Sequence, residues 1–147
     1  MTDAAHPLLD VLVALFCRPG GAGEGQEAVE RVHIAWELAS GQWVLMAGPD
    51  SALWGWASWY LTDADGIERL REVGMDELVR SGESIALTHG DRAYVATAVV
   101  APWAPASTYR ALYRLAAAGA AAMGARSIAG HLRKRDGRVL YHERAAA

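Results

Sequence analysis

Two stretches near the start of the chain carry apolar residues at helical spacing. In residues 6–17 the apolar positions recur every three or four residues, and Pro7 suits the first turn of a helix. Residues 24–39 repeat the pattern, which ends at Ser40-Gly41, and Glu37 falls outside its apolar stripe. We expect this stripe to face the core. It consists of Ala28, Val29, Val32, Ala35, Trp36 and Ala39.

From residue 42 onward the spacing of the apolar residues changes from that of a helix to that of a strand. Residues 42–47 and 52–61 are predicted to be strands, and the Gly-Pro turn between them makes a hairpin. On the second strand Trp54 and Trp56 point to one face and Trp59 points to the other. Packing of the sheet between two layers explains these tryptophans better than a platform for a ligand does.

Helices and strands alternate in the rest of the chain. The segment 92–101 is apolar on both faces, as a central strand should be. The elements expected in order are a helix over residues 62–80 with a break at Gly74, a short strand near 84–88, the central strand over 92–101, a helix over 109–123, and strands over 126–131 and 137–142.

This order of elements predicts an α/β fold in a single domain over residues 1–147. A strand, a crossover helix and a second strand form a right-handed βαβ unit by default. An antiparallel hairpin ahead of such a unit is the layout of the acetyltransferase-like (GNAT) fold. We therefore expect a GNAT-like mixed sheet flanked by helices.

Composition and charge narrow the class of protein. Apolar residues make up 52% of the chain and charged residues 21%, which is typical of a globular domain and excludes a disordered one. The formal net charge of -3 argues against a protein built mainly to bind nucleic-acid phosphates. Cys17 is the one cysteine, so no intrachain disulfide and no cysteine-rich metal site can form, and we predict no metal.

No segment has the pattern of a targeting signal or a membrane span. The apolar run over residues 8–17 contains Asp10 and follows an acidic start, whereas a secretory signal begins with basic residues. It is also much shorter than the roughly 20 apolar residues that cross a bilayer. We expect a cytoplasmic protein without a membrane span.

Short motifs follow one another along the chain in a distinctive order. The first four are Trp43-Val44-Leu45-Met46, Gly55-Trp56-Ala57-Ser58-Trp59, Gly90-Asp91-Arg92 and Val99-Val100-Ala101-Pro102-Trp103. The later ones are Tyr109 with Leu112 and Tyr113, Arg126-Ser127-Ile128, and Gly137-Arg138-Val139 with His142. Over roughly residues 6–143 this order and spacing resemble the RTX toxin-activating lysine acyltransferases, the family of hemolysin-activating type.

The resemblance implies a GNAT-like enzyme that transfers a fatty acyl group from acyl carrier protein to a lysine of an RTX-type toxin. The acyl carrier protein would be the donor, and no cofactor is expected to be bound. The chain has no glycine between Ala101 and Ala106, where a coenzyme A-dependent acetyltransferase holds pyrophosphate on backbone N–H groups. The alternative is a non-catalytic relative that binds a carrier protein or a toxin partner, and a homodimer is left open.

The catalytic residues of that family do not carry over. Its histidine and its aspartate align with Ala22 and Ala98, which cannot transfer a proton. His33, shortly before the first strand, is the nearest residue that can act as a general base, and Thr97 is a polar neighbour on the central strand. We predict His33 and Thr97 as catalytic residues, with a partly buried structural histidine as the alternative for His33.

Two further side chains have chemistry that acyl transfer could use. Cys17 could carry a thioester, but its position on the apolar face of a helix predicts a core residue. His89 precedes Asp91 in a turn, where local hydrogen bonds explain the pair.

A cluster of basic residues lies in the last predicted turn. Carrier proteins are strongly acidic, and a positive hairpin would steer them to this surface. Nucleic acid is a poor match for so small a cluster on an acidic chain. The predicted partner-binding residues are Arg133, Lys134, Arg135 and Arg138.

Overall fold

The chain folds into four helices and five strands over the residues that the structure describes. The computed structural model describes residues 6–81, 87–133, 136 and 138–146, without the side chains of residues 76, 79, 80 and 133. The elements are α1 (Leu9–Phe16), α2 (Glu27–Ser40), β1 (Trp43–Ala47), β2 (Leu53–Thr62), α3 (Ala64–Ser81), β3 (Arg92–Val100), α4 (Thr108–Ala122), β4 (Ser127–Arg133) and β5 (Val139–Ala145).

The five strands form one sheet in the order β1-β2-β3-β4-β5, which confirms the predicted α/β architecture. β1 and β2 pair antiparallel, β3 and β4 pair parallel with α4 as the crossover helix, and β4 and β5 pair antiparallel. β3 lies in the middle of the sheet, which is the place that its apolar faces predicted.

β3 and β4 pair over a short length. Their register runs from Arg92 opposite Ser127 to Tyr94 opposite Ala129, after which each strand continues for several residues. On its other side β4 pairs with β5 along its full length, from Ser127 to Arg133. The basic turn is therefore shorter than predicted, since the backbone of Arg133 still pairs with Val139.

Residues 1–58 and 97–113 form the first of two compact units. Its core joins α1 and α2 to the sheet through buried residues such as Leu12, Ile34, Trp56 and Val99. Cys17 also lies in this core, as its helical position predicted. The buried side chains of this core thus come from four elements, α1, α2, β2 and β3, and from Cys17 directly after α1.

Residues 59–96 and 114–147 form the second unit. Here α3 packs on the sheet through Leu70, with Tyr60, Tyr94 and Ala129 among the buried residues of the same core. Of the strand expected near 84–88, residues 84–86 lie outside the described residues, and Thr88 forms a single bridge with Leu61. β2, β3 and α4 contribute to both units, and the single domain stays a prediction.

Two positions in the second unit require glycine. Gly74 adopts a φ of 75° inside α3, which breaks the helix where the sequence predicted a break. Gly119 on α4 lies against the indole of Trp59, and a Cβ there would stand 2.6 Å from the ring atom Cη2. Trp56 and Trp59 are both fully buried, as two-layer packing of the sheet requires.

Candidate functional site

α2 is turned so that its apolar stripe faces solvent. Val29, Val32 and Trp36 are 49%, 68% and 40% exposed, whereas Ile34 and Leu38 are buried. The prediction that the stripe faces the core is therefore wrong for five of its residues, whereas Ala35 is partly buried and packs against the core. The five exposed residues are Ala28, Val29, Val32, Trp36 and Ala39. Ile34 and Leu38, which lie outside the stripe, fill the core of the first unit instead.

The buried face of α2 also carries a carboxyl group. Glu37 is 1% exposed, and its Oε1 accepts a hydrogen bond of 2.9 Å from the hydroxyl of Thr97, which is 4% exposed on β3. A carboxyl group removed from water is costly unless donors surround it, and the threonine supplies one. Glu37 was not predicted as a buried residue, because it falls outside the apolar stripe of the helix.

His33 lies one helical turn before Glu37, so the two residues share a face of α2. Its Nδ1 is 3.7 Å from Oε2 of Glu30, with the side chains 24% and 16% exposed. A carboxylate at this distance can orient the imidazole ring. On the helix, His33 therefore occupies the border between the exposed stripe and the buried carboxyl.

His33 and Thr97, the residues predicted as catalytic, lie in different environments. Thr97 contacts Glu37 in the interior of the first unit, while His33 is accessible from outside. Two alanines align with the family's catalytic residues. Ala22 is exposed in a loop, and Ala98 is half-buried on β3. The candidate site therefore consists of Glu30, His33 and Glu37 on α2 and the Thr97 hydroxyl on β3.

Cys17 and His89 have the environments that the sequence predicted. Burial, and then the nearby Glu30 and Glu27, raise the pKa of the Cys17 thiol, which makes it a poor nucleophile. His89 is exposed, and its Nδ1 is 3.5 Å from the Thr88 hydroxyl in the turn. Neither residue has the surroundings of an acyl carrier.

A second polar cluster, in the second unit, was not predicted. The Tyr94 hydroxyl and the His131 Nδ1 share a hydrogen bond of 2.5 Å, and the His131 ring also contacts the Tyr141 ring at 5.4 Å between centroids. The Arg71 guanidinium lies 5.3 Å from the centre of the Tyr141 ring, whose hydroxyl donates to Glu143. Strand pairing brings Tyr94, His131 and Tyr141 together and Arg71 reaches them from α3, so spacing along the chain gave no signal.

In this region the pKa values of two side chains are shifted from their ordinary values. Burial, together with the Glu143 carboxylate, raises the pKa of Tyr141, so its hydroxyl stays neutral. Burial, followed by the positive charge of Arg144 and by His131, lowers the pKa of His142. These side chains pack as neutral groups.

The predicted partner-binding cluster is described only in part. Lys134 and Arg135 lie outside the described residues, as does the side chain of Arg133. Arg138 is exposed, and its Nε donates to the Asp136 carboxylate at 2.7 Å. This local pair reduces the charge that Arg138 can offer to a partner.

The described residues hold no group of three or more His, Cys, Asp or Glu side chains arranged to bind a metal ion. Within the same described ranges, each helix falls short of the length and apolar character that crossing a bilayer requires.

Comparison with known proteins shows the fold. Neither a protein-family model nor a curated protein matches the sequence. Among solved structures the chain is similar to GphF, a GNAT-like decarboxylase in complex with isobutyryl-CoA, with a TM-score of 0.65 and 18% identity. The match covers 88% of this chain and 63% of that chain, so this chain spans less than two thirds of its length. The fold is GNAT-like.

Proposed function

We propose that this protein transfers an acyl group from acyl carrier protein to a lysine of a partner protein of the RTX toxin type. The observation that carries the proposal is the position of His33, a partly exposed histidine held by Glu30 beside a buried carboxyl in a GNAT-like fold. Such a residue is the general base that amide formation from a lysine needs.

In this reaction His33 removes a proton from the lysine ammonium group. The free amine then attacks the thioester carbonyl of the donor, and a tetrahedral intermediate forms. As it collapses, the carbon–sulfur bond breaks, the attacking nitrogen releases its second proton, and the leaving thiolate takes up that proton to become the thiol of the carrier protein. The products are an amide on the lysine and the free carrier, and Glu30 stabilises the imidazolium between these steps.

Thr97 takes a positioning role in this proposal. Its hydroxyl is buried against Glu37, so it acts on the site through that carboxyl and through α2. Thr97→Val should lower kcat for transfer and leave KM unchanged, and Thr97→Ser should restore kcat because it keeps the hydroxyl. Equal losses in Thr97→Val and Thr97→Ser would assign Thr97 to packing alone.

The segment after β3 favours a carrier protein over free coenzyme A as the donor. Pro102 and Pro105 have no N–H, and the N–H groups of Ala104 and Thr108 donate to Ala101 and Pro105 within the turn. Backbone donors are what bind pyrophosphate at this place in coenzyme A-dependent enzymes. The two prolines and the two internally bonded N–H groups leave fewer donors for a pyrophosphate, which supports a protein-bound thioester.

The basic hairpin is our proposed docking surface for the acidic carrier. Arg133, Lys134, Arg135 and Arg138 would attract its negative surface, and the attraction should weaken with salt. Reversal of charge in Arg133→Glu with Arg135→Glu should slow association with acyl carrier protein at low salt. An unchanged association rate would reduce this segment to an ordinary turn.

The decisive experiment measures acyl transfer from acyl carrier protein to the lysines of an RTX-type toxin. His33→Ala should reduce the rate by about 100-fold, the scale expected for loss of a general base. His89→Ala is the matched control, because His89 is exposed in a turn, and it should leave the rate unchanged.

The other outcomes separate the alternatives. Robust transfer by His33→Ala would refute the site and keep the enzyme. A wild-type protein that binds the carrier but transfers nothing would instead support the non-catalytic relative, which the alanines at positions 22 and 98 favour.

A further inference from the structure

β5 leaves one edge of the sheet open within the part of the chain that the structure describes. It is the last strand of the sheet and pairs with β4 on one side over all seven of its residues, without a shift in register. Proline, lysine and bulges are common devices that keep an edge strand from pairing, and residues 139–145 have none of them. The other edge strand, β1, is shorter and has an irregular register at Met46 and Ala47. β5 is therefore the edge that can accept a further strand.

The direction of the backbone groups along β5 follows from a bond just beyond its end. The Ala146 N–H donates to the Arg126 carbonyl at 3.1 Å, which continues the β4–β5 register by one pair. Consecutive residues of an antiparallel strand turn their backbone groups to opposite sides, so those of Leu140, His142 and Arg144 face β4. The backbone groups of the four alternate residues point to the open edge, and these residues are Val139, Tyr141, Glu143 and Ala145.

A second copy of β5, running antiparallel, pairs with all four outward residues in one register only. In that register Val139 lies opposite Ala145 of the second copy, and Tyr141 lies opposite its Glu143. A shift by two residues in one direction leaves Ala145 without a partner. A shift in the other direction leaves Val139 without one and places the two copies of Glu143 opposite each other, where like charges are destabilising. The full register therefore makes the most backbone hydrogen bonds.

Arg71 on α3 supplies a charge that fits this register. Its guanidinium lies 5.3 Å from the centre of the Tyr141 ring, on the face of the sheet that also carries the Glu143 side chain. Its own Glu68 is 3.7 Å away, which is too far for a hydrogen bond. Because Tyr141 lies opposite Glu143 of the second copy, Arg71 would stand beside that carboxylate. The two-fold symmetry of the pairing makes the same contact twice.

The helices on this face leave room for the second copy. α3 lies over β4, since Leu70 and Ala129 belong to the same buried core. In the paired sheet the two β4 strands would be three strand spacings apart, or about 14 Å. Packed helices need only about 8–10 Å between their axes, so the two copies of α3 fit side by side.

We infer that this protein forms a symmetric dimer in which β5 pairs antiparallel with β5 of a second copy, so that one sheet continues through both chains. Backbone hydrogen bonds along the two strands hold the dimer, and Arg71 of each copy pairs with Glu143 of the other. The interface uses residues of the second unit alone. It therefore forms whether or not the protein transfers acyl groups.

Mixing two charge-reversed variants tests the register. Arg71→Glu and Glu143→Arg each place like charges at both symmetric contacts, and each should raise the Kd of the dimer about 10-fold in sedimentation velocity. An equimolar mixture of the two variants should recover the wild-type Kd, because both contacts are then between opposite charges. The matched control is Arg69→Glu, which lies on the same helix with its guanidinium bonded to Glu72 at 3.1 Å, and it should dimerise like the wild type.

Amide hydrogen exchange, followed by NMR at each residue, tests the open edge itself. When the protein concentration rises above Kd, exchange should slow at Tyr141 and Glu143, whose N–H groups point outward. Exchange at Leu140 and Arg144 should be slow in monomer and dimer alike, because their N–H groups are bonded to β4.

Three results would each overturn the inference. The first is a wild-type protein that stays monomeric up to about 1 mM. The second is a dimer that the mixture of charge-reversed variants does not restore. The third is exchange at Tyr141 and Glu143 that is independent of concentration in a protein that dimerises, because the two copies would then meet at another surface.

Discussion

Thr97→Val removes one hydroxyl from the interior and keeps the shape of the side chain. In the wild type this hydroxyl donates to Glu37 at 2.9 Å, and both residues are almost completely buried. A buried acceptor that loses its donor keeps its desolvation cost, which is about 1–3 kcal/mol. We therefore expect the free energy of unfolding to fall by about 2 kcal/mol.

Urea unfolding, followed by tryptophan fluorescence, measures this loss. The midpoint should fall while the denaturant slope stays the same, because the surface exposed on unfolding does not change. In thermal unfolding the same loss corresponds to a decrease in Tm of about 4–8 °C for a chain of this size.

A double-mutant cycle isolates the contact. In a Glu37→Leu background the acceptor is gone, so Thr97→Val should cost almost nothing there. A cost below about 0.5 kcal/mol in the wild type, or the same cost in both backgrounds, would refute the reasoning, since the hydrogen bond would then not stabilise the buried carboxyl.

Three further results are expected. Gly119→Ala should lower the free energy of unfolding by about 1–3 kcal/mol and so lower Tm, because its Cβ would stand 2.6 Å from the Trp59 ring. A higher Tm, as helix propensity alone predicts, would contradict this contact. Burial lowers the pKa of His142, so the unfolded chain binds more protons and stability should fall as the pH drops below about 6.5. His142→Asn should flatten that dependence in urea unfolding at several pH values, and an unchanged slope would exclude His142 as its source. Tyr94→Phe should cost about 1 kcal/mol in the same assay, since it removes the hydroxyl bonded to His131; no loss would mean that this bond does not stabilise the second unit.

Hydrophobic period and turn residues were sufficient to predict most elements, because both act over a few neighbouring residues. The change from helical to strand spacing placed α2 before the hairpin, and the apolar faces of residues 92–100 identified β3 as a central strand. Gly74 breaks α3 for a local reason too, since its φ of 75° is one that other residues rarely adopt. Because the elements were predicted from local patterns, their order alone indicated the GNAT-like layout.

The candidate site depended on contacts between distant residues. Glu37 and Thr97 are 60 residues apart in the chain, and Tyr94 and His131 are 37 apart, so no local pattern reveals either pair. The sequence by itself determined that α2 is a helix and that it carries an apolar stripe. Only the tertiary structure decided which face is buried, because Ile34 and Leu38 fill the core of the first unit and Thr97 supplies the donor that a buried Glu37 requires.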